Sequence, residues 1–244
     1  MRAQSIGLFI LLLTLISCNN KDGYSLGDFQ VSIATIILEG ENSYSILLDN
    51  GKKLWPSVSD IKYKPKDNQR AFVNYTLLSD KYDKFDHIVK VNAIWNILTK
   101  DIIDLTEEKE KEIGNDPVET NFIWIANDFL NIDFMFNYGA ERPHYINLVN
   151  NKTIPQGEDD EVIELEFRHN SYNSQNPKFS TEGLVSFNIK SLQRDDRDSV
   201  KLKIKVKELD KVTTHDITYK YNLGNSENSY IETPILVVAS DEYY

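Results

Sequence analysis

The sequence predicts an all-β chain: an N-terminal five-stranded barrel and a C-terminal antiparallel β-sandwich, joined by a short helical linker. Three observations predict this. Apolar and polar residues alternate with period two along most of the chain, as in strands with one buried face. Thirteen tyrosines and eleven phenylalanines stand among many Ile and Val, a composition that suits pleated sheet better than helix. Turn residues separate the apolar segments at short intervals, and one charged, helix-like run lies near the middle.

The first strand begins at Phe29, where Phe29, Val31, Ile33 and Thr35 alternate with Gln30, Ser32 and Ala34. Tyr44 to Leu48 follows after Gly40. Asp49-Asn50-Gly51 then supplies a tight turn into Lys53-Leu54-Trp55, because Asn and Gly tolerate positive φ. Beyond a loop from Pro56 to Asp67 come Ala71 to Leu77 and His87 to Trp95. Five short strands in about 70 residues suggest a closed barrel of the oligonucleotide/oligosaccharide-binding (OB) shape.

Asp104 to Glu112 has a capping candidate, acidic residues in its first turn and Gly114 behind it, so it reads as a short helix. With Asn115-Asp116-Pro117 it marks the domain boundary. Seven strand-like segments follow: Asn121 to Ala126, Leu130 to Asn137, Tyr145 to Val149, Val162 to Arg168, Leu184 to Ile189, Val200 to Lys207 and Asp216 to Tyr221. Their number and turn chemistry suggest a sandwich. Val200, Leu202, Ile204 and Val206 alternate with Lys201, Lys203, Lys205 and Lys207, so one face is core and the other solvent. Such a lysine stripe keeps a strand soluble and prevents edge pairing. The resulting segmentation is 1–17 signal segment, 18–28 tether, 29–98 barrel, 99–117 helical linker, 118–222 sandwich and 223–244 C-terminal extension.

At the N-terminus, Met1-Arg2 precedes an apolar run from Ile6 to Ile16, the anatomy of a secretory signal peptide. The run is shorter than the roughly 20 apolar residues of a spanning helix. Leu15-Ile16-Ser17-Cys18 resembles the bacterial lipobox, in which the cysteine is alkylated by a diacylglyceryl group and becomes the first mature residue. Cys18 is the only cysteine, so lipidation leaves the body no disulfide, thiol-redox or cysteine-nucleophile chemistry. At about 0.8 kcal/mol per buried methylene, three acyl chains anchor effectively for good. The expected location is the cell envelope, lipid-anchored through Cys18. Asn19 offers no aspartate retention signal, which points to the outer membrane.

Acidic residues outnumber basic ones 38 to 27, a formal net charge of −11 that grows by one when Arg2 leaves with the signal segment. A globally acidic surface argues against nucleic acid or anionic lipid as the main partner. An envelope protein or a glycan remains the expected partner class.

No catalytic or metal site emerges. His87, His144, His169 and His215 lie far apart without a metal-like partner at i+2 or i+4, and read as surface or turn histidines. Arg142-Pro143-His144 and Arg168-His169-Asn170 fall near strand ends, where loops can gather them into a polar patch or use them as caps. Glu158-Asp159-Asp160-Glu161 and Asp195-Asp196-Arg197-Asp198 lack the spaced ligands and glycine of a calcium loop. Ser186 lacks the flanking glycines of a nucleophile elbow. Trp55, Trp95 and Trp124 sit in apolar strand contexts and are expected in the core. No cofactor is expected.

Several stretches resemble the NigD-like lipoproteins of Gram-negative anaerobes. They are Asp22-Gly23-Tyr24-Ser25-Leu26-Gly27-Asp28-Phe29, Leu54-Trp55-Pro56, Tyr63-Lys64-Pro65-Lys66-Asp67, Val73-Asn74-Tyr75, Ile113-Gly114-Asn115-Asp116-Pro117-Val118, Asn137-Tyr138-Gly139, Leu165-Glu166-Phe167-Arg168-His169-Asn170 and Gly183-Leu184-Val185-Ser186-Phe187. The resemblance implies an OB-type N-terminal domain and a C-terminal β-sandwich. It also implies a link to bacteriocin immunity, because the family is named for a gene beside a bacteriocin locus. It brings no catalytic or ligand residues. Residues 222–244 extend past the expected last strand, and Pro234 to Ala239 reads as an extra edge strand or as a tail.

Three functional classes follow. A non-catalytic binding or interaction module is favoured by two β domains, a lipid anchor and the lack of a catalytic signature. A protective lipoprotein of the immunity type follows from the resemblance alone. A glycan or peptide hydrolase is kept because sandwiches can host carboxylate pairs that meet only in the fold.

Overall fold

The computed structural model describes residues 24–138, 142–154, 161–172 and 179–221. Cys18, most of the Glu158–Glu161 cluster and the segment from Pro234 to Ala239 lie outside them.

The first five strands are β1 (Gln30–Leu38), β2 (Tyr44–Leu48), β3 (Lys53–Ser59), β4 (Gln69–Ser79) and β5 (His87–Asn96). They close into a barrel of order β1-β2-β3-β5-β4, with β4 returning to β1 and β3/β5 as its parallel pair. The Asp49-Asn50-Gly51 turn forms as expected, with Gly51 at φ 80, its N–H donating to the Leu48 carbonyl while the Leu48 N–H donates to the Lys52 carbonyl. The third strand runs further than the sequence suggests, through Pro56 to Ser59, with a register shift between Pro56 and Val58. Proline has no N–H to pair, and a bulge is where a sheet accommodates that. Ile36, Ile46, Leu54, Val73, Val89 and Val91 fill the barrel.

The short helical linker is present within 99–117 but narrower than the expected helix over Asp104–Glu112. Leu98–Asp101 (β6) and Ile103–Leu105 (β7) are strands, and only Glu110–Ile113 (α1) is helical. Leu98, Ile103 and Leu105 are apolar, and sheet edges bury them better than a solvent-facing helix does. β6 joins one sheet and β7 the other, so the chain crosses the open side of the sandwich within eight residues, 98–105.

The remaining strands are β8 (Glu119–Ala126), β9 (Phe129–Tyr138), β10 (Tyr145–Asn151), β11 (Val162–Asn170), β12 (Phe179–Asn188), β13 (Ser199–Lys207) and β14 (Val212–Lys220). One sheet has the order β14-β13-β11-β10-β7 and the other β6-β12-β9-β8. Their inner faces meet through Leu130, Ile132, Phe134, Phe167, Val185, Phe187, Leu202 and Ile204. Gly183 also faces inward, and a Cβ there would stand 2.7 Å from the Phe134 ring. The lysines of β13 turn away from this core, and Lys205 pairs with Glu164 of β11.

Alternation on β9 and β12 turns the opposite residues toward the barrel. Ile33 of β1, Phe72 of β4, Ile97, Trp124 of β8 and Leu184 of β12 form one buried cluster. The barrel thus lies on the outer face of the four-stranded sheet.

Candidate ligand-binding cleft at the domain junction

Arg70 sits in this junction. It leads directly into the apolar run of β4, pairs in register with Thr35 of β1, and is fully buried. Its guanidinium holds both carboxylate oxygens of Asp49, at 2.5 and 2.8 Å. It also donates to Thr35 Oγ1 at 3.0 Å and to Asn131 Oδ1 at 3.3 Å. The same Asn131 oxygen accepts a 2.7 Å bond from Ser186 Oγ, and Asn131 Nδ2 reaches the carbonyls of Trp124 and Phe129. Both terminal nitrogens are thus paired, as a desolvated charge requires, while the buried Nε has no hydrogen-bond partner among the described residues. Nearby, Gln69 Nε2 approaches the carbonyls of Arg70 and Ile97, each at 2.7 Å, and Thr99 Oγ1 at 3.0 Å.

Beside this network opens a cavity of about 230 Å3. Lys66, Asp67, Asn68 and Gln69 line it from the barrel, and Thr99, Lys100, Asp101, Phe129 and Asn188 from the sandwich. Asp67 is braced by the amide of Leu38 at 3.0 Å, and Asn68 takes φ 56, which asparagine tolerates. Phe129 is buried under Arg70, its ring centroid 5.3 Å from the guanidinium carbon, so it floors the cleft rather than offering an open ring face. Among the described residues Lys100 bonds to two neutral oxygens, Ile146 O at 2.9 Å and Asn147 Oδ1 at 2.8 Å, over the ring of Tyr145. Burial pulls its ammonium down to about 8. Amide, carboxylate and ammonium groups gathered on a loop and on strand ends suit a small polar ligand.

The histidine expectation needs correction. His144 and His169 are buried, and their Nδ1 and Nε2 atoms meet at 2.8 Å. They end an aromatic column in the sandwich core, with Phe136 4.9 Å from His144 and 5.9 Å from His169 between ring centroids. One ring must donate and the other accept, so the two rings cannot both be protonated. Burial lowers both, His169 to about 4, with the nearby Asp116 carboxylate opposing the shift. Asp116 itself is spent on the amide and hydroxyl of Ser171, and Arg168 on Glu166 and Glu110. His144, Arg168 and His169 do come together, as the buried polar end of a core, while Arg142 and Pro143 stay exposed and the Arg142 guanidinium lies over the Tyr172 ring.

The other candidates separate. Ser186 is buried in the junction network. Asp196 pairs with Arg194 and Arg197 on the surface. Trp124 is core and Trp55 half-buried against Phe85, whereas Trp95, expected in the core, is 53% exposed. Asp133 of β9 is buried on the outer face, bonded to Asn121 at 3.2 Å. Burial, then the carboxylate of Glu182, pushes it up to about 6. This acid pair lies outside the cleft. Among the described residues, no group of three or more His, Cys, Asp or Glu is placed to hold a metal ion. Arg70 and Lys100 were missed by the sequence reading; a charged residue abutting or interrupting an apolar run was the available signal.

Residues 33–97 match the NigD-like N-terminal OB domain and residues 101–221 the NigD-like C-terminal beta sandwich domain. Among solved structures, a toxin-related protein from Parabacteroides distasonis is 36% identical, with a TM-score of 0.69 over 80% of this chain and 95% of its own. A protein of unknown function from Bacteroides vulgatus is 27% identical, with a TM-score of 0.67 over 81% and 93%. A NigD-like immunity protein from Bacteroides caccae, 16% identical, shares the fold with a TM-score of 0.62 over 81% and 99%. No curated protein matches the chain.

Proposed function

Because the chain belongs to the NigD-like family, with both family domains present in order, we propose that it is a non-catalytic interaction module held on a membrane surface by lipid on Cys18. The observation that carries this reading is the locked junction. Arg70, Asp49 and Asn131 join barrel and sandwich into one body and hold a polar cleft open beside them. Lys66 and Asp101 line that cleft from opposite domains and make no side-chain bond among the described residues. A ligand bridging them would sense both domains at once. The partner is an envelope glycan or a peptide of an envelope protein, chemistry that matches amides, carboxylates and ammonium groups.

Titrating the purified mature protein with envelope glycan fragments and peptides, followed by backbone NMR shifts, tests this. Shifts confined to Lys66–Gln69 and Thr99–Asp101, lost in a Lys66→Ala/Asp101→Ala variant, are expected. Binding that leaves those residues unmoved would overturn the cleft as the ligand site.

A second reading is protection against a secreted toxin, favoured by the description of the 36% identical relative as toxin-related. Deleting the gene should then raise sensitivity to culture supernatants of sibling strains, and unchanged sensitivity would discard it.

A further inference from the structure

We propose that one end of the barrel, presenting Tyr24, Leu26, Phe29, Val31 and Tyr82, rests on the uncharged acyl and headgroup surface of the membrane that carries the anchor. The inference deepens the anchored-module reading and rests on its lipidated Cys18.

Strand register brings these residues to one end. β1 runs antiparallel to β4 with Gln30 opposite Tyr75, so the residues before β1 pass beside the end of β4 at Ser79. The Tyr24 hydroxyl bonds to Asp80 just beyond it, and Tyr82 follows in the same β4–β5 loop. Ile33 and Val31 share a face of β1, and Phe29, just before the strand, continues the alternation. Ile33 is buried in the junction, Val31 is 41% exposed and Phe29 63%. Leu26 is 76% exposed.

Chain length says what covers them. Cys18 stands six residues before Tyr24, and an extended chain spans at most about 3.6 Å per residue, so Tyr24 lies within roughly 21 Å of the lipidated position. The lipidated residue sits at the bilayer surface, which keeps this barrel end beside it. Tyrosines suit that depth, with an apolar ring and a hydroxyl that reaches water. The adjoining loop carries Asp80, Lys81, Asp83, Lys84 and Asp86, which leaves no basic excess to select anionic lipid. The contact is therefore apolar and insensitive to lipid charge.

The test uses lipidated full chain in phosphatidylcholine vesicles. Lipidation turns the only native thiol into a thioether, so Leu26→Cys offers the sole free thiol for an environment-sensitive dye. Lys64→Cys is the control. It adjoins Tyr63, which bonds to Asn96 at the far end of β5 from the β4–β5 loop. Emission from position 26 should be blue-shifted and quenched several-fold more strongly by nitroxide-bearing lipid than emission from position 64. Adding anionic lipid should change neither. Equal, water-like emission from both positions would overturn the proposal. A blue shift at 26 without lipid quenching would overturn it too, pointing to a second copy or a protein on the patch. Palmitate incorporation, abolished by Cys18→Ala, reads the anchor separately. A protein that carries palmitate but shows no quenching sinks the patch alone, and one without palmitate sinks the anchor and the patch together.

Discussion

Arg70 of the barrel and Asn131 of the sandwich meet at 3.3 Å in a junction that excludes water from both. The arginine is also clamped to Asp49, and the asparagine to Ser186, so one buried polar chain runs from the barrel's second hairpin to the middle of a sandwich sheet. Apolar contacts among Ile33, Phe72, Trp124 and Leu184 flank it. Apolar burial gives this junction its strength, and the polar chain gives it one allowed docking angle.

Arg70→Met removes the guanidinium and leaves Asp49 and Asn131 facing an apolar side chain. Stability should fall by about 3–5 kcal/mol, the range for breaking a buried pair from one side. Chemical denaturation followed by barrel and sandwich probes should then show two transitions in place of the single one expected of the native protein. Arg70→Met combined with Asp49→Leu should recover part of the loss, because the uncompensated carboxylate goes with it.

The His144–His169 pair makes stability depend on acid. The folded pair binds protons less tightly than the unfolded chain, whose histidines titrate near 6.5. Stability is thus fully present above 6.5 and lost as pH falls from 6.5 to about 4. For His169 alone the loss is on the order of 3 kcal/mol. Urea midpoints measured across that window should drop, and His144→Phe/His169→Leu should flatten the dependence.

Asp133 works with the opposite sign. Its folded value near 6 exceeds the ordinary 3.8, so its contribution is fully present below 3.8 and lost as pH rises through 6. Asp133→Asn keeps the Asn121 bond and adds a donor toward Glu182. It should stabilise the protein at pH 7 by about 1–2 kcal/mol, discounted for the solvent reached by Glu182. The gain should vanish by pH 4 in the same urea titrations.

Gly183→Ala should destabilise the sandwich by about 1–3 kcal/mol, because the new methyl meets the Phe134 ring at 2.7 Å in a packed core. Phe134→Leu should compensate in part when combined with it. Thermal melts of the two single variants and the double variant decide this, and additive losses would contradict the contact.

Much of the architecture was legible in local patterns. Alternation at Val200 to Lys207 identified a half-buried strand, and Asp49-Asn50-Gly51 a hairpin, because side-chain period and turn backbone are local properties. The helix expected over Asp104–Glu112 proved shorter because charged residues there follow helix-start rules, whereas the sheet edges that claim Leu98–Asp101 and Ile103–Leu105 exist only in the assembled sandwich. Trp95 was misread for a related reason: an apolar strand context does not say which face a second domain covers.

By itself the sequence determined the two β units and their order, the sandwich core face, and a single cysteine placed where lipidation would use it. Each depends on neighbours within a few residues. Tertiary structure decided that Arg70 is a junction clamp, that His144 and His169 form a hydrogen-bonded buried pair, and that Lys66 and Asp101 face one cleft. Those outcomes join residues up to 61 positions apart, as Arg70 and Asn131 are. Burial and pairing across such separations exist only once the strands have found their partners.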